Sequence, residues 1–260
     1  MVIMKPPETA TYDRHWEFKG FFEIPRNDFC CSLIKSTGTM DDKDIMIEEQ
    51  LKGRDIYDER VLEAMHIIDR ELFVPDEFRD MAYDDTPLPI GRGQTISQPY
   101  IVAYMAQIMH LQPEDVVLEI GGGCGYNAAV LSRLVSHVYT VEIVGWLAEL
   151  AIKNLEKARI SNVSVLNGDG FRGWPEKAPF DKIMLTAATP RIPVPLKKQL
   201  KTGGKILAPI SDSMQKLILV EKKGEDDFIE HNLIPVRFVP MTGNTGESRW
   251  KKGMPKTDWE

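Results

Sequence analysis

From Val116 to Ile210 the sequence switches repeatedly between two hydrophobic periods, and this restricts the possible fold more than any other feature. The runs VVLEI (116–120), HVYTVEI (137–143), VSVLN (163–167), FDKIMLTAA (180–188) and GKILAPI (204–210) read as strands buried on both faces. Between them, YNAAVLSRLV (126–135), GWLAELAIKNLEKARI (145–160) and VPLKKQL (194–200) read as helices. Such alternation builds a parallel sheet covered by helices on both faces. KLILVEKK (216–223) and FIEHNLIPVRFVPM (228–241) follow with no helix between them and read as an antiparallel pair. The expected fold class is therefore α/β, a doubly wound and mostly parallel sheet with an antiparallel C-terminal edge.

The segment upstream has a different character. Residues 1–53 mix aromatics, Pro6-Pro7 and the polar run STGTMDDKD, and read as an irregular extension that packs on the domain or folds with a partner. The first helix expected is DERVLEAMHII (58–68), with Asp58 as its N-cap. YDDTPLPIGRGQTISQP (83–99) reads as a loop, and loops of that length inside a domain are usually functional. A helix of about 100–110 follows Pro99. The chain divides into an extension (1–53), a domain (54–243) and a polar tail (244–260).

Composition removes several function classes. A net charge of −7 offers no basic field for nucleic acid. There is no apolar run of ~18 residues, so no transmembrane helix is expected, and the N-terminus lacks the apolar core of a secretory signal. Cys30, Cys31 and Cys124 form neither a disulfide framework nor a metal spacing, which suits a cytoplasmic location. The histidines are scattered, with no HxH or HExxH pair, and nothing supports a metal.

VLEIGGGCGYN (117–127) runs from a strand into a glycine turn. Ligands of open α/β sheets bind beyond the carboxyl ends of the strands. Gly121, Gly123 and Gly125 would let the backbone approach a ligand there, with the helix starting at Tyr126 pointing at the same place. Glu142 ends the second strand, where an acid can accept from two ribose hydroxyls, and Asp169-Gly170 follows the third, where it can meet an adenine amino group. The glycine spacing is not that of a dinucleotide fingerprint, and no G-x-x-x-x-G-K-[ST] phosphate loop is present.

Glu119-x-Gly121-x-Gly123-x-Gly125 resembles the first motif of S-adenosylmethionine-dependent methyltransferases. The resemblance implies a Rossmann-like, class I methyltransferase fold and S-adenosylmethionine as cofactor. Glu119 would face the cationic cofactor or orient the loop amides. RELFVPDEFRDMAYDDTPLPIGRGQTISQPYIVAYM (70–105), NGDGFRGWPEKAPFDKIMLTAA and PVRFVPMTG are similar, in the same order, to protein-L-isoaspartate O-methyltransferases over roughly residues 56–243. GQTISQP is the most specific of these elements. The implied reaction methylates the free α-carboxylate of L-isoaspartyl residues in damaged proteins and peptides, after which a succinimide forms and opens.

By the same resemblance Ser97 holds the acceptor carboxylate, with Thr95, Gln98, Val236 and Phe238 on the substrate side. Gln94, Tyr126 and Thr186 join the glycines and acids on the cofactor side. A carboxylate (pKa about 4) is already a nucleophile at neutral pH, so no histidine dyad is required. The loop GGGCG departs from the family's commoner Gly-Thr-Gly-Ser-Gly: Gly122 removes a hydroxyl, and Cys124 replaces a stronger hydrogen-bond partner. Three rivals stay open at this point. They are a same-fold methyltransferase acting on another peptide or small acid, a non-catalytic adaptor that kept the fold, and a nicotinamide-dependent oxidoreductase.

Overall fold

The computed structural model describes residues 40–211 and 214–243. Seven strands form one sheet: β3 (Val116–Ile120), β4 (His137–Glu142), β5 (Val163–Asn167), β6 (Phe180–Leu185), β7 (Leu200–Ser211), β8 (Gln215–Lys222) and β9 (Phe228–Pro235). Their order is β5-β4-β3-β6-β7-β8-β9. The pairs from β5 through β7 are parallel, and β8 runs antiparallel to both β7 and β9. This is the expected doubly wound sheet with its antiparallel edge. Its direction of winding reverses between β3 and β6, which is where such sheets place their ligands.

Strand β3 shows why consecutive apolar residues are needed. Val117 faces a core built with α2 (Glu59–Ile67), α3 (Pro99–Met109) and α4 (Tyr126–Ser132). Leu118 and Ile120 face a second core containing Phe171, Phe180, Ile192 and Leu196. From Val117 onward both faces are buried, so every position is apolar except Glu119, which is itself fully buried. Asp58 caps α2 as expected, its carboxylate accepting from Arg60 N–H at 3.0 Å.

Three segments differ from expectation. The first 39 residues and 244–260 lie outside the described residues, but the end of the presumed extension is ordered helix: α1 (Asp42–Ile45) continues as a π-helix, Met46–Lys52. Met46, Ile47 and Leu51 are buried in the first core, so this segment packs on the domain as helix and not as irregular chain. Second, the loop 83–99 contains a hairpin, β1 (Leu88–Gly91) with β2 (Gln94–Ile96). Third, the strand expected over 228–241 ends at Pro235. Residues beyond it bond instead to Gln215 and to Ala188, where Pro240 forms an isolated parallel bridge.

Candidate active site

One cleft opens beyond β3, β4 and β6, enclosing about 800 Å³ of space that includes open solvent. Gln94, Thr95, Ile96 and Ser97 line one side, the glycine loop and Glu142 another, and Thr186, Ala187 and Val239–Thr242 close it. The two sequence elements read as acceptor loop and cofactor loop therefore share one space.

The glycine loop is held from below. Gly121 has φ 100, and its N–H donates to Val141 O at 2.8 Å. The Thr186 hydroxyl reaches back to the carbonyls of Ile120 (2.9 Å) and Gly121 (2.6 Å). The Gly122 N–H also goes to Val141 O, that of Gly123 to Glu142, and that of Gly125 to Gly122 O. These loop amides are satisfied within the protein, so they form no nest for a phosphate. The cradle thus fits a nucleoside without phosphates and disfavours a dinucleotide.

Glu142 anchors the rim. One carboxylate oxygen accepts from Gly123 N–H at 2.8 Å and the other from Val144 N–H at 2.9 Å. A carboxylate has about four acceptor positions, so it retains capacity for two hydroxyls. Burial raises its pKa, and the backbone bonds oppose that shift.

Cys124 is 2% exposed, and burial pushes its thiol up to about 12, so it is a neutral packing group. The hydroxyl of Thr140 occupies the space above Gly122: a Cβ added there would lie 2.4 Å from Thr140 Oγ1.

Of the residues singled out in the sequence, Gln94, Thr95, Ser97, Gly121, Gly123, Tyr126, Glu142, Gly170 and Thr186 line the cleft. Tyr126 does so at the helix start only, because its hydroxyl turns to Met65 Sδ and its ring packs on Phe73. Six do not line it. Glu119 points into the core, where Asn127 Nδ2 (2.6 Å) and the Thr140 hydroxyl donate to it, so it neither faces the cleft nor orients loop amides. Gly125, with φ 90, lets helix α5 (Gly145–Lys157) approach: a Cβ would lie 3.3 Å from Ala151 Cα. Asp169 turns its carboxylate to cap Phe171 N–H at 3.0 Å, and Gly243 packs against it. Gln98 donates to Asp85 at 2.6 Å.

Val236 and Phe238 pack on the first core, and their main-chain N–H groups donate to Gln215 of β8. The Gln215 amide brackets the Phe238 main chain, accepting from its N–H at 2.6 Å and donating to its C=O at 3.2 Å. The next residues, Val239–Thr242, reach the cleft in their place. Reading by motif missed these, along with Val141, Ile143 and Val144. Their only sequence signal is position, at or just after a strand end or the PVRF run.

A sequence profile described as protein-L-isoaspartate(D-aspartate) O-methyltransferase matches residues 40–246. The chain belongs to this family. It is 52% identical over 206 residues to protein-L-isoaspartate O-methyltransferase 2 of Pelobacter propionicus, covering 78% of this chain and 92% of that protein. The corresponding protein of Methanothrix thermoacetophila is 48% identical, with 76% and 95% covered. A solved protein-L-isoaspartate O-methyltransferase superposes with a TM-score of 0.72 at 32% identity, over 78% of this chain and 67% of that one. The family match starts at residue 40, which agrees with the burial of the α1 segment.

Proposed function

We infer that this protein transfers a methyl group from S-adenosylmethionine to the free α-carboxylate of L-isoaspartyl residues in damaged proteins and peptides, which starts their repair through a succinimide. One observation carries the reading: the TISQP loop and the phosphate-free glycine cradle line a single cleft in a chain of this family. Gly121, Gly123, Glu142, Gly170 and Thr186 hold the cofactor, with Glu142 on its ribose. Gln94 and Thr95 bridge the two halves of the site.

S-adenosylmethionine, when bound, supplies an electrophilic methyl group to an oxygen that is already anionic. No side chain has to remove a proton, and the chain's contribution is positioning and exclusion of water. The Ser97 hydroxyl donates to the acceptor carboxylate and fixes its direction. Ile96, Val102, Ile120 and Val239 supply apolar walls that exclude water. The paired loop amides speak against the nicotinamide rival.

The test is methyl transfer from labelled S-adenosylmethionine to two peptides that differ only in isoaspartyl or aspartyl at one position. Labelling of the isoaspartyl peptide alone is expected, and Ser97→Ala is expected to lose about 10- to 100-fold in kcat/KM, the worth of a hydrogen bond to a charged group. Equal labelling of both peptides, or of neither, defeats the reading.

Residues 239–242 serve as the substrate-side wall, with Gln215 clamping the main chain of Phe238 that leads into them. Gln215→Ala is expected to raise the KM for the isoaspartyl peptide about tenfold, from the loss of two main-chain hydrogen bonds. The affinity for S-adenosylhomocysteine should stay within about twofold, and parallel titrations of peptide and nucleoside would show it. We also place residues 54–243, together with the α1 segment, as the catalytic unit. The buried free thiol suits the cytoplasm. No helix among the described residues is long and apolar enough to cross a membrane.

A further inference from the structure

Arg70 opens a single 3-10 turn, Arg70–Phe73, and is completely buried. Buried arginines are almost always paired with an acid. Here Asp84 and Asp85 act on the guanidinium only at longer range, and its hydrogen bonds go to main-chain carbonyls. Nη1 donates to Ala82 O, and Nη2 donates to Thr86 O at 3.1 Å and Ser97 O at 3.0 Å. Nε has no partner among the described residues. The guanidinium also stands 5.7 Å from the ring of Tyr126, the residue that follows the glycine loop.

A rigid fork that gathers three carbonyls from separate stretches of chain defines their relative positions in a way no single point donor can. Asp85 secures the other side of the same loop. It accepts from Gln98 Nε2 at 2.6 Å and from Tyr100 N–H at 3.0 Å. Ser97 therefore has its carbonyl fixed by Arg70 and the residues after it fixed by Asp85. Its side chain keeps little freedom beyond χ1 while it lines the cleft.

We propose that Arg70 is a positioning residue for methyl transfer, fixing the Ser97 main chain so that the hydroxyl is aimed at the acceptor carboxylate. The proposal rests on the reading of Ser97 given above. An error of about 1 Å in such an aim costs up to about 100-fold in rate. Desolvating an arginine without an ion partner is unfavourable, and its placement behind the acceptor loop is the compensating use.

The experiment compares the full chain with Arg70→Lys, Ser97→Ala and the double variant. Lysine keeps the charge and most of the length but supplies a point donor in place of the fork. The readouts are kcat and KM for an isoaspartyl peptide, and the dissociation constant of S-adenosylhomocysteine. Arg70→Lys is expected to lose about tenfold or more in kcat with product affinity within about twofold. On the Ser97→Ala background the same change is expected to cost less than about twofold, because the group it aims is gone. Equal losses on both backgrounds, with Ser97→Ala itself impaired, overturn the role of Arg70 and leave Ser97 standing. A silent Ser97→Ala overturns the Ser97 reading instead, and with it the proposal. Loss of product binding in Arg70→Lys assigns the residue to the fold, which also overturns it. Arg70→Gln, a shorter amide donor, is measured alongside so that misfolding of one variant leaves the comparison intact.

Discussion

Gly121→Ala is expected to weaken S-adenosylhomocysteine binding about 100-fold, or to lower stability by an equivalent amount. The backbone at Gly121 has φ 100, a conformation that costs an alanine about 1–3 kcal/mol. The new Cβ would lie 2.5 Å from Thr186 Oγ1. That hydroxyl cannot yield cheaply, since it bonds the carbonyls of Ile120 and Gly121. Rotating it away forfeits roughly another 1 kcal/mol, and moving the loop instead displaces the Gly121 N–H from Val141 O. Together these effects come to about 3 kcal/mol, near two decades of affinity. Thermal melts with and without S-adenosylhomocysteine divide the loss between folding and binding. The double variant with Thr186→Ala should recover the steric part and not the backbone part. Native affinity and an unchanged melting temperature in Gly121→Ala would show that the loop is not the rigid cradle described above.

The parallel sheet was legible in the sequence because strands buried on both faces must be continuous apolar runs, and VVLEI and FDKIML allow little else. The helix at 42–52 was not. Its buried residues, Met46, Ile47 and Leu51, lie on a π-helical turn, so the 3.6-residue spacing that announces other helices is absent. The hairpin at 88–96 was hidden by Pro89 and the Gly91–Gly93 tip, which read as loop punctuation. At 235 the reverse occurred: the apolar pattern of IPVRFVPM continued after a proline that can donate no ladder bond, and the strand stopped there.

In the site, motif residues reached the cleft where their backbone faces a strand end, as with Gly121, Gly123, Glu142 and Ser97. The residues that do not line the cleft share a cause. Gln98, Asp169 and Phe238 sit next to the right place in sequence, but each has its polar groups committed elsewhere, to Asp85, to a local cap and to Gln215. Arg70 and Gln215 act on residues more than twenty positions away, and no local pattern encodes such pairings.

Glu119→Gln is expected to leave S-adenosylhomocysteine affinity within about threefold while making the protein less sensitive to rising pH. Glu119 stands in the core below the cleft, bonded to Asn127 and Thr140. Burial, helped by repulsion from Glu142, pushes its pKa from 4.5 up to about 7 against the pull of those two donors. A carboxyl raised in the folded state binds its proton there at pH values where the unfolded chain has released it. Stability from this group is therefore complete below about pH 4.5 and declines as the pH rises toward 7, by roughly 3 kcal/mol in all. Glutamine keeps the shape, cannot ionise, and can accept from Asn127 while donating to the Thr140 oxygen. The difference in melting temperature, variant minus parent, should rise steadily between pH 5 and pH 7.5 and then level off. Glu142 also has a raised pKa, but it is present in both proteins and largely cancels from the difference. A pH-independent difference would mean that Glu119 keeps an ordinary pKa despite its burial. A 100-fold loss of nucleoside affinity would instead return it to the cofactor, as the motif alone had allowed.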